Sequence, residues 1–349
     1  MKKLIIKLCI IFIPFGIIVV ATNVIIDPAN IFSGEKYVND IANILASGNN
    51  ADNISNYNER LLQEKFLLKQ TQKPALVVMG SSRIMEISVN IFPDKKLFNI
   101  GVSHANINDL IALTGLLDSL KLMPQEVVIN LDPFLICKGD KGTSEWQTLK
   151  TYHSSFLKKY STINMEETED EEDNMYKKYY TMLTFEYFKT SLEFLFKKKS
   201  KKVENVGKNI PQITGRYSDG SVAYSYAYAH PNALLIANVA TSMGIKNAVP
   251  EMDEKRLNLL NCLINYFEKK NIKMTFVMLP FHPNYCDEVN KRQNNILNTY
   301  ETFFNEFAKQ HSSNIVGSFS ATKTQTNNTD FYDTYHVNGD AIKRIFLKN

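Results

Sequence analysis

Apolar residues recur along the chain as short continuous runs separated by stretches of helical spacing. Ala75-Leu76-Val77-Val78-Met79 is the first run, and it ends in Gly80. Leu97–Ile100, Val127–Leu131, Met274–Leu279 and Ile315–Phe319 repeat the pattern. Runs without alternation suit strands covered on both faces, as in a parallel sheet. Between them, residues 55–70, 106–121, 232–246, 251–270, 288–310 and 338–347 carry apolar side chains at helical spacing. Strand and helix alternating in this way predict an α/β fold, a doubly wound parallel sheet in three layers of the flavodoxin-like kind.

Two stretches fall outside the alternation. The nineteen residues Leu8–Ile26 carry no charge and follow Lys2, Lys3 and Lys7. At 1.5 Å per residue, such a helix just spans a hydrocarbon core of about 30 Å. The run passes the small-residue site Val19-Val20-Ala21 and ends at Asp27-Pro28. An uncleaved transmembrane anchor over residues 1–27 is expected, with a cleaved signal as the alternative. In both cases the lysines stay inside, which makes residues 28–349 an extracytoplasmic domain, periplasmic or at the cell surface. Residues 27–53 read as an ordered stalk.

The second stretch, about residues 138–230, reads as an insertion that caps the sheet. It holds an acidic run at residues 166–173, an aromatic helical segment at 175–196 and a lysine run at 197–202. The charge runs read as solvated faces; the acidic one lacks the glycine and spacing of an EF-hand calcium loop. The segment GRYSDGSVAYSYAY, residues 215–228, reads as a hairpin turning at Asp219-Gly220. Its tyrosines either pack across the hairpin or face a sugar.

Composition narrows the class. Of 349 residues, 44% are hydrophobic and 22% charged, with only 14 Gly and 11 Pro, which excludes a disordered or low-complexity chain. The net charge of +4 comes from 40 basic and 36 acidic residues. Without the three lysines of the N-terminal flag the counts are 37 and 36, so no nucleic-acid partner is expected. Besides Cys9, the cysteines are Cys137, Cys262 and Cys286, odd in number and widely spaced; buried thiols are expected rather than a disulfide framework. CxxC, HExxH and histidine clusters do not occur, so neither metal nor cofactor is expected.

Ligands of an open α/β sheet bind beyond the C-terminal ends of its strands. The residues there are Gly80-Ser81-Ser82-Arg83, Gly101, Asp132-Pro133, Pro280-Phe281-His282-Pro283 and Asp333-Thr334-Tyr335-His336. A serine in a glycine turn is presented outward, and its own N–H can face a developing oxyanion. Ser82 is the candidate nucleophile, with Ser81 the alternative register. His336 would take the serine proton, and Asp333 would orient the imidazole. Arg83 is one of six arginines against 34 lysines; it would hold an anionic or acyl-donor group, or pair with Asp132. His282 and Asp132 complete the candidate substrate-contacting set.

Taken together, these blocks resemble the SGNH hydrolase superfamily over about residues 74–137 and 250–349. The resemblance makes Ser82 the block-I nucleophile, Gly101 the block-II glycine and oxyanion donor beside the Ser82 N–H, and Asp333 and His336 the block-V pair. Two positions depart from the family pattern. Gly80-Ser81-Ser82 replaces GDS, and Asn130-Leu131-Asp132-Pro133 replaces GxND, which removes the usual oxyanion asparagine. Both departures are similar to the membrane-anchored branch, which includes the teichoic acid D-alanyl transfer protein and the alginate O-acetylation proteins. What the resemblance implies is an O-acyltransferase or esterase that works on a cell-surface polysaccharide through a serine acyl-enzyme, with a membrane-bound acyltransferase as donor partner. The alternative is a catalytically degenerate protein that binds glycan or an acyltransferase partner. A third reading is a plain anchored scaffold.

Overall fold

A computed structural model describes residues 2–28, 30–31, 33–138, 143–161, 180, 183–196, 202–242, 251–292 and 296–348. Among these residues nine strands, numbered in chain order, form two sheets. The central sheet contains β2 (Leu76–Met79), β3 (Leu97–Asn99), β4 (Glu126–Asn130), β8 (Lys273–Met278) and β9 (Asn314–Gly317). They lie in the order β3-β2-β4-β8-β9, and every neighbouring pair is parallel. Counted along this sheet alone the order is 2-1-3-4-5, the flavodoxin-like doubly wound arrangement. The winding reverses between β2 and β4, and a crevice opens at the C-terminal ends of strands where that happens.

The strands read as unbroken apolar runs because both of their faces are covered. On β2, Val77 and Met79 join one core with Ile129 of β4 and Leu110 and Leu113 of α4 (Ile107–Ser119). Leu76 and Val78 point the other way, into a second core with Val128, Ala341, Ile342 and Ile345. The last three belong to the closing helix Gly339–Leu347. Successive side chains on a strand alternate between faces, so two covered faces call for apolar residues on both, as in Leu76–Met79 and Val127–Ile129.

The stalk expected over residues 27–53 contains instead a helix, α2 (Gly34–Ala46), which buries Tyr37, Val38, Ile41, Ala42 and Leu45. Those positions form one helical stripe that packs into the main core. The pattern over 288–310 resolves into two helices, Pro283–Arg292 and Ile296–Gln310.

The N-terminal apolar run forms one α-helix, α1 (Lys2–Ile26), with Pro14 inside it. The side chains of residues 1–5, 8, 9 and 11 lie outside the description. Among the described residues no helix is long and apolar enough to cross a membrane. The C-terminal end of α1 is held by the helix Phe185–Phe196, in which Ser191 Oγ donates to Asn23 Oδ1 at 3.0 Å and the Tyr187 phenol to Asp27 Oδ1 at 3.2 Å. The acidic run at 166–173, with its calcium question, and Lys197–Lys201 lie outside the described residues.

The rest of the insertion is tied into the domain. β5 (Glu204–Asn205), β6 (Gly215–Arg216) and β7 (Val222–Ala223) form an antiparallel sheet with β1 (Ala51–Asp52), in the order β5-β1-β6-β7. The β6–β7 hairpin turns at Gly220, whose φ is +88°. A Cβ there would lie 2.4 Å from the Asn99 carbonyl oxygen, so only glycine allows this approach. Val222 N–H donates to Met85 O and Asn99 N–H to Asp219 O, both at 2.8 Å. The hairpin therefore lies against the turn that follows β2.

Candidate active site

β2 delivers the chain to Gly80, where φ is +151° and a Cβ would lie 2.4 Å from Asn130 Cβ. Glycine lets the turn cross the end of β4 without colliding with it. Ser81 then caps the short 3-10 turn Ser82–Ile84, accepting from Arg83 N–H at 3.3 Å. The Ser81 hydroxyl donates to Asp132 Oδ2 at 2.5 Å. The Asn130 amide is oriented so that Nδ2 donates to Ser81 Oγ at 2.9 Å and to Asp132 Oδ2 at 2.8 Å. Ser81 is thus committed to the sheet end, and Ser82 is the serine presented to the crevice.

Ser82 Oγ lies 2.7 Å from His336 Nε2. The other ring nitrogen, Nδ1, lies 2.9 and 2.8 Å from Asp333 Oδ1 and Oδ2. Nδ1–H therefore donates to the carboxylate, and the Nε2 lone pair faces the serine. Asp333 Oδ1 also accepts the N–H groups of Tyr335 and His336 at 2.7 and 2.8 Å. Asp333 Oδ2 accepts the Tyr228 phenol at 2.7 Å. Burial works to raise the Asp333 pKa, but the His336 hydrogen bond and charge, with the Tyr228 hydroxyl, outweigh it and hold the carboxyl well below the usual range. It is a carboxylate throughout the physiological range.

The loop that carries this pair is braced on several sides. Tyr332 N–H donates to His336 O at 2.9 Å and His282 N–H to Thr334 O at 3.1 Å. Asn338 caps the closing helix, its Oδ1 accepting from Ala341 N–H at 2.9 Å. A hydrogen-bonded loop of this kind holds the imidazole at the serine without help from a substrate.

Three expectations are corrected by the surroundings. Arg83 takes its paired alternative and not the ligand-holding one: it is 4% exposed and its guanidinium lies 3.9 Å over the Phe281 ring. It pairs with Asp132 and donates to the carbonyls of Leu279, Pro280 and Tyr335. Asp132 is likewise only 2% exposed, so neither side chain lies open to the crevice. They are a buried ion pair that joins the ends of β4 and β8 to the loop carrying Asp333 and His336. His282 is fully buried, its ring edge-on to Phe331 at 5.3 Å, and Nδ1 accepts from Asn284 N–H at 3.2 Å. Burial lowers its pKa, which favours the neutral imidazole.

The third correction concerns the oxyanion hole. Gly101 N–H donates to Asn99 Oδ1 at 2.9 Å and is not free to meet an oxyanion. Its missing side chain serves packing instead, because a Cβ would lie 2.8 Å from Ile84 Cδ1. Asn99 is fully buried and donates through Nδ2 to Ile84 O and Ile87 O at 2.8 and 2.9 Å. It clamps the Ser82 turn to the Gly101 loop. The Ser82 N–H, by contrast, makes no hydrogen bond among the described residues, which leaves it available to a developing negative charge.

Sequence reasoning passed over Asn99, although a lone amide ending an apolar strand run is a visible signal. It also passed over Glu59, Arg60 and Gln63 of α3 (Glu59–Leu68), which bond Ser103 N–H, Ser103 O and Gly101 O respectively. A cleft of about 1350 Å³ beside that loop is lined by Asn56, Tyr57, Glu59, Ser103 and Gln147, among others. Ser82, Asp333 and His336 do not line it. No group of three or more metal-ligating side chains is present among the described residues. No protein-family model matches the chain, and neither does any curated protein.

Proposed function

We propose that the chain is an SGNH-like serine esterase or O-acyltransferase that acts on a cell-surface polysaccharide through an acyl-enzyme. One observation carries the reading: a serine, an imidazole and a carboxylate stand in hydrogen-bonded series at 2.7 and 2.8 Å, at the crevice where a doubly wound sheet binds ligands. Ser82 Oγ attacks an acyl carbonyl as its proton passes to His336 Nε2, and Asp333 stabilises the imidazolium. The tetrahedral oxyanion meets the Ser82 N–H. His336 then returns the proton to the departing alcohol, which leaves an ester on Ser82. A sugar hydroxyl, activated by the same imidazole, takes the acyl group in transfer, and water takes it in hydrolysis.

Location is part of the proposal. On α1, Ile10, Phe12, Ile17 and Ile25 are 65%, 64%, 62% and 78% exposed, an apolar surface that suits lipid. An anchor of residues 1–27, with the catalytic domain extracytoplasmic, holds the enzyme beside a membrane-bound acyl donor and raises its effective concentration.

A degenerate, ligand-binding role is the second reading, and it is favoured by the occupied Gly101 N–H and the absent block-III asparagine. Fluorophosphonate labelling separates the two. The acyl-enzyme reading expects covalent labelling of wild type and none of Ser82→Ala or His336→Ala. An unlabelled, folded wild type rejects it.

A further inference from the structure

Asp333 is held by more than its own loop. The backbone N–H groups of Tyr335 and His336 bind Oδ1, but Oδ2, which lies 2.8 Å from the His336 ring, takes its other hydrogen bond from Tyr228. Tyr228 is 105 residues away in sequence, on the one-turn helix Tyr226–Ala229 that follows the β6–β7 hairpin.

That helix is built to place the phenol. Ser225 caps it, its side chain accepting from Tyr228 N–H at 3.4 Å. The Tyr228 ring packs against Tyr224 at 4.7 Å and Tyr332 at 5.3 Å, and those two rings are 5.4 Å apart. The Tyr332 hydroxyl donates to Glu86 Oε1 at 2.9 Å, and Glu86 is four residues beyond Ser82. Met85, its neighbour, accepts the Val222 N–H of the hairpin at 2.8 Å. A triangle of tyrosines therefore joins the inserted segment to both the nucleophile turn and the acid loop.

We propose that Tyr228 is a positioning residue of the triad, and that the inserted hairpin and helix complete the site by holding Asp333 in line with His336. The inference rests on the serine acyl-enzyme reading for its catalytic consequence and on geometry alone for its structural part. A carboxylate bound at one oxygen can pivot about that contact, whereas one bound at both cannot. The imidazolium that forms during attack is stabilised only by a carboxylate already aligned with Nδ1–H. Burial and the neighbouring Asp333 charge both push the phenol pKa up, so Tyr228 remains a donor at every pH at which the enzyme would work.

The test compares full-length wild type, Tyr228→Phe and Tyr226→Phe. The first substitution keeps the ring stack and removes one hydroxyl, and the second alters a residue that is 73% exposed on the same helix. Two quantities are read: the rate of fluorophosphonate modification at Ser82 and the proton resonance of His336 Nδ1–H in histidine-labelled protein. Tyr228→Phe is expected to shift the resonance and slow labelling about tenfold, the scale of one hydrogen bond to a charged group, with Tyr226→Phe unchanged in both. An unmoved resonance in Tyr228→Phe overturns the proposal, whether labelling slows or not. A shifted resonance in a protein whose wild type is never labelled upholds the positioning role and rejects the acyl-enzyme reading.

Discussion

Replacing Arg83 by methionine separates a scaffold role from a ligand-binding one. Arg83→Met keeps an unbranched stem over Phe281 and removes the guanidinium. In the native protein that group pairs with Asp132 and donates to the carbonyls of Leu279, Pro280 and Tyr335. Its loss leaves the Asp132 charge, 2% exposed, with only Ser81 and Asn130 to solvate it. Breaking a buried ion pair from one side costs roughly 3–5 kcal/mol. Unfolding entropy of about 2.1 cal/mol/K per residue over 349 residues gives about 0.7 kcal/mol/K. A loss of about 4 kcal/mol then lowers the melting temperature by about 5 °C. The double variant Arg83→Met with Asp132→Leu removes the stranded charge and is expected to recover part of that loss, since apolar replacement of both partners is often close to neutral. Calorimetry or a fluorescence melt reads both. A single variant that melts within about 1 °C of wild type but no longer binds an acyl donor refutes the scaffold assignment and restores Arg83 as a substrate contact.

Gly80→Ala is expected to destabilise by about 3 kcal/mol or more, because φ is +151° and the new Cβ would lie 2.4 Å from Asn130 Cβ; a urea melt within about 0.5 kcal/mol of wild type contradicts the turn geometry. Glu86 should shape stability against pH: burial raises its pKa from 4.5 to about 8, with the Tyr332 hydrogen bond opposing. Between those values the native state keeps a proton that the unfolded chain has released, so this contribution to stability is full below about pH 4.5 and is lost as pH rises towards 8. Glu86→Gln should flatten that decline by about 2 kcal/mol, less than the full shift because the side chain keeps partial solvent contact; urea midpoints at pH 5 and pH 8 that fall equally in both proteins contradict it. Ser82→Ala should leave the melting temperature within about 2 °C of wild type while abolishing labelling, and a collapse of the fold would mean that Ser82 is structural.

The α/β frame and the Ser82–His336–Asp333 series were legible in the sequence because each has a local cause. Strands covered on both faces are apolar on both, so β2, β4 and β8 announce themselves as runs such as Leu76-Val77-Val78-Met79. The residues at their ends then mark the crevice, and Ser82 and the Asp333–His336 pair follow from strand position and spacing. Tertiary structure decided what each remaining polar group does. Gly101 stands where a glycine was expected, but its N–H belongs to Asn99, because the strand end brings that amide within 2.9 Å. Arg83 follows Ser82 in sequence and still points away from the crevice, drawn inward by a buried carboxylate and three carbonyls from distant segments. Tyr228 carries no local signal at all, since a hairpin tyrosine reads the same whether it packs on a neighbour or donates to a carboxylate 105 residues away. Hydrophobic period is a property of consecutive residues, whereas the partner of a hydrogen bond is chosen only when separate stretches of chain meet.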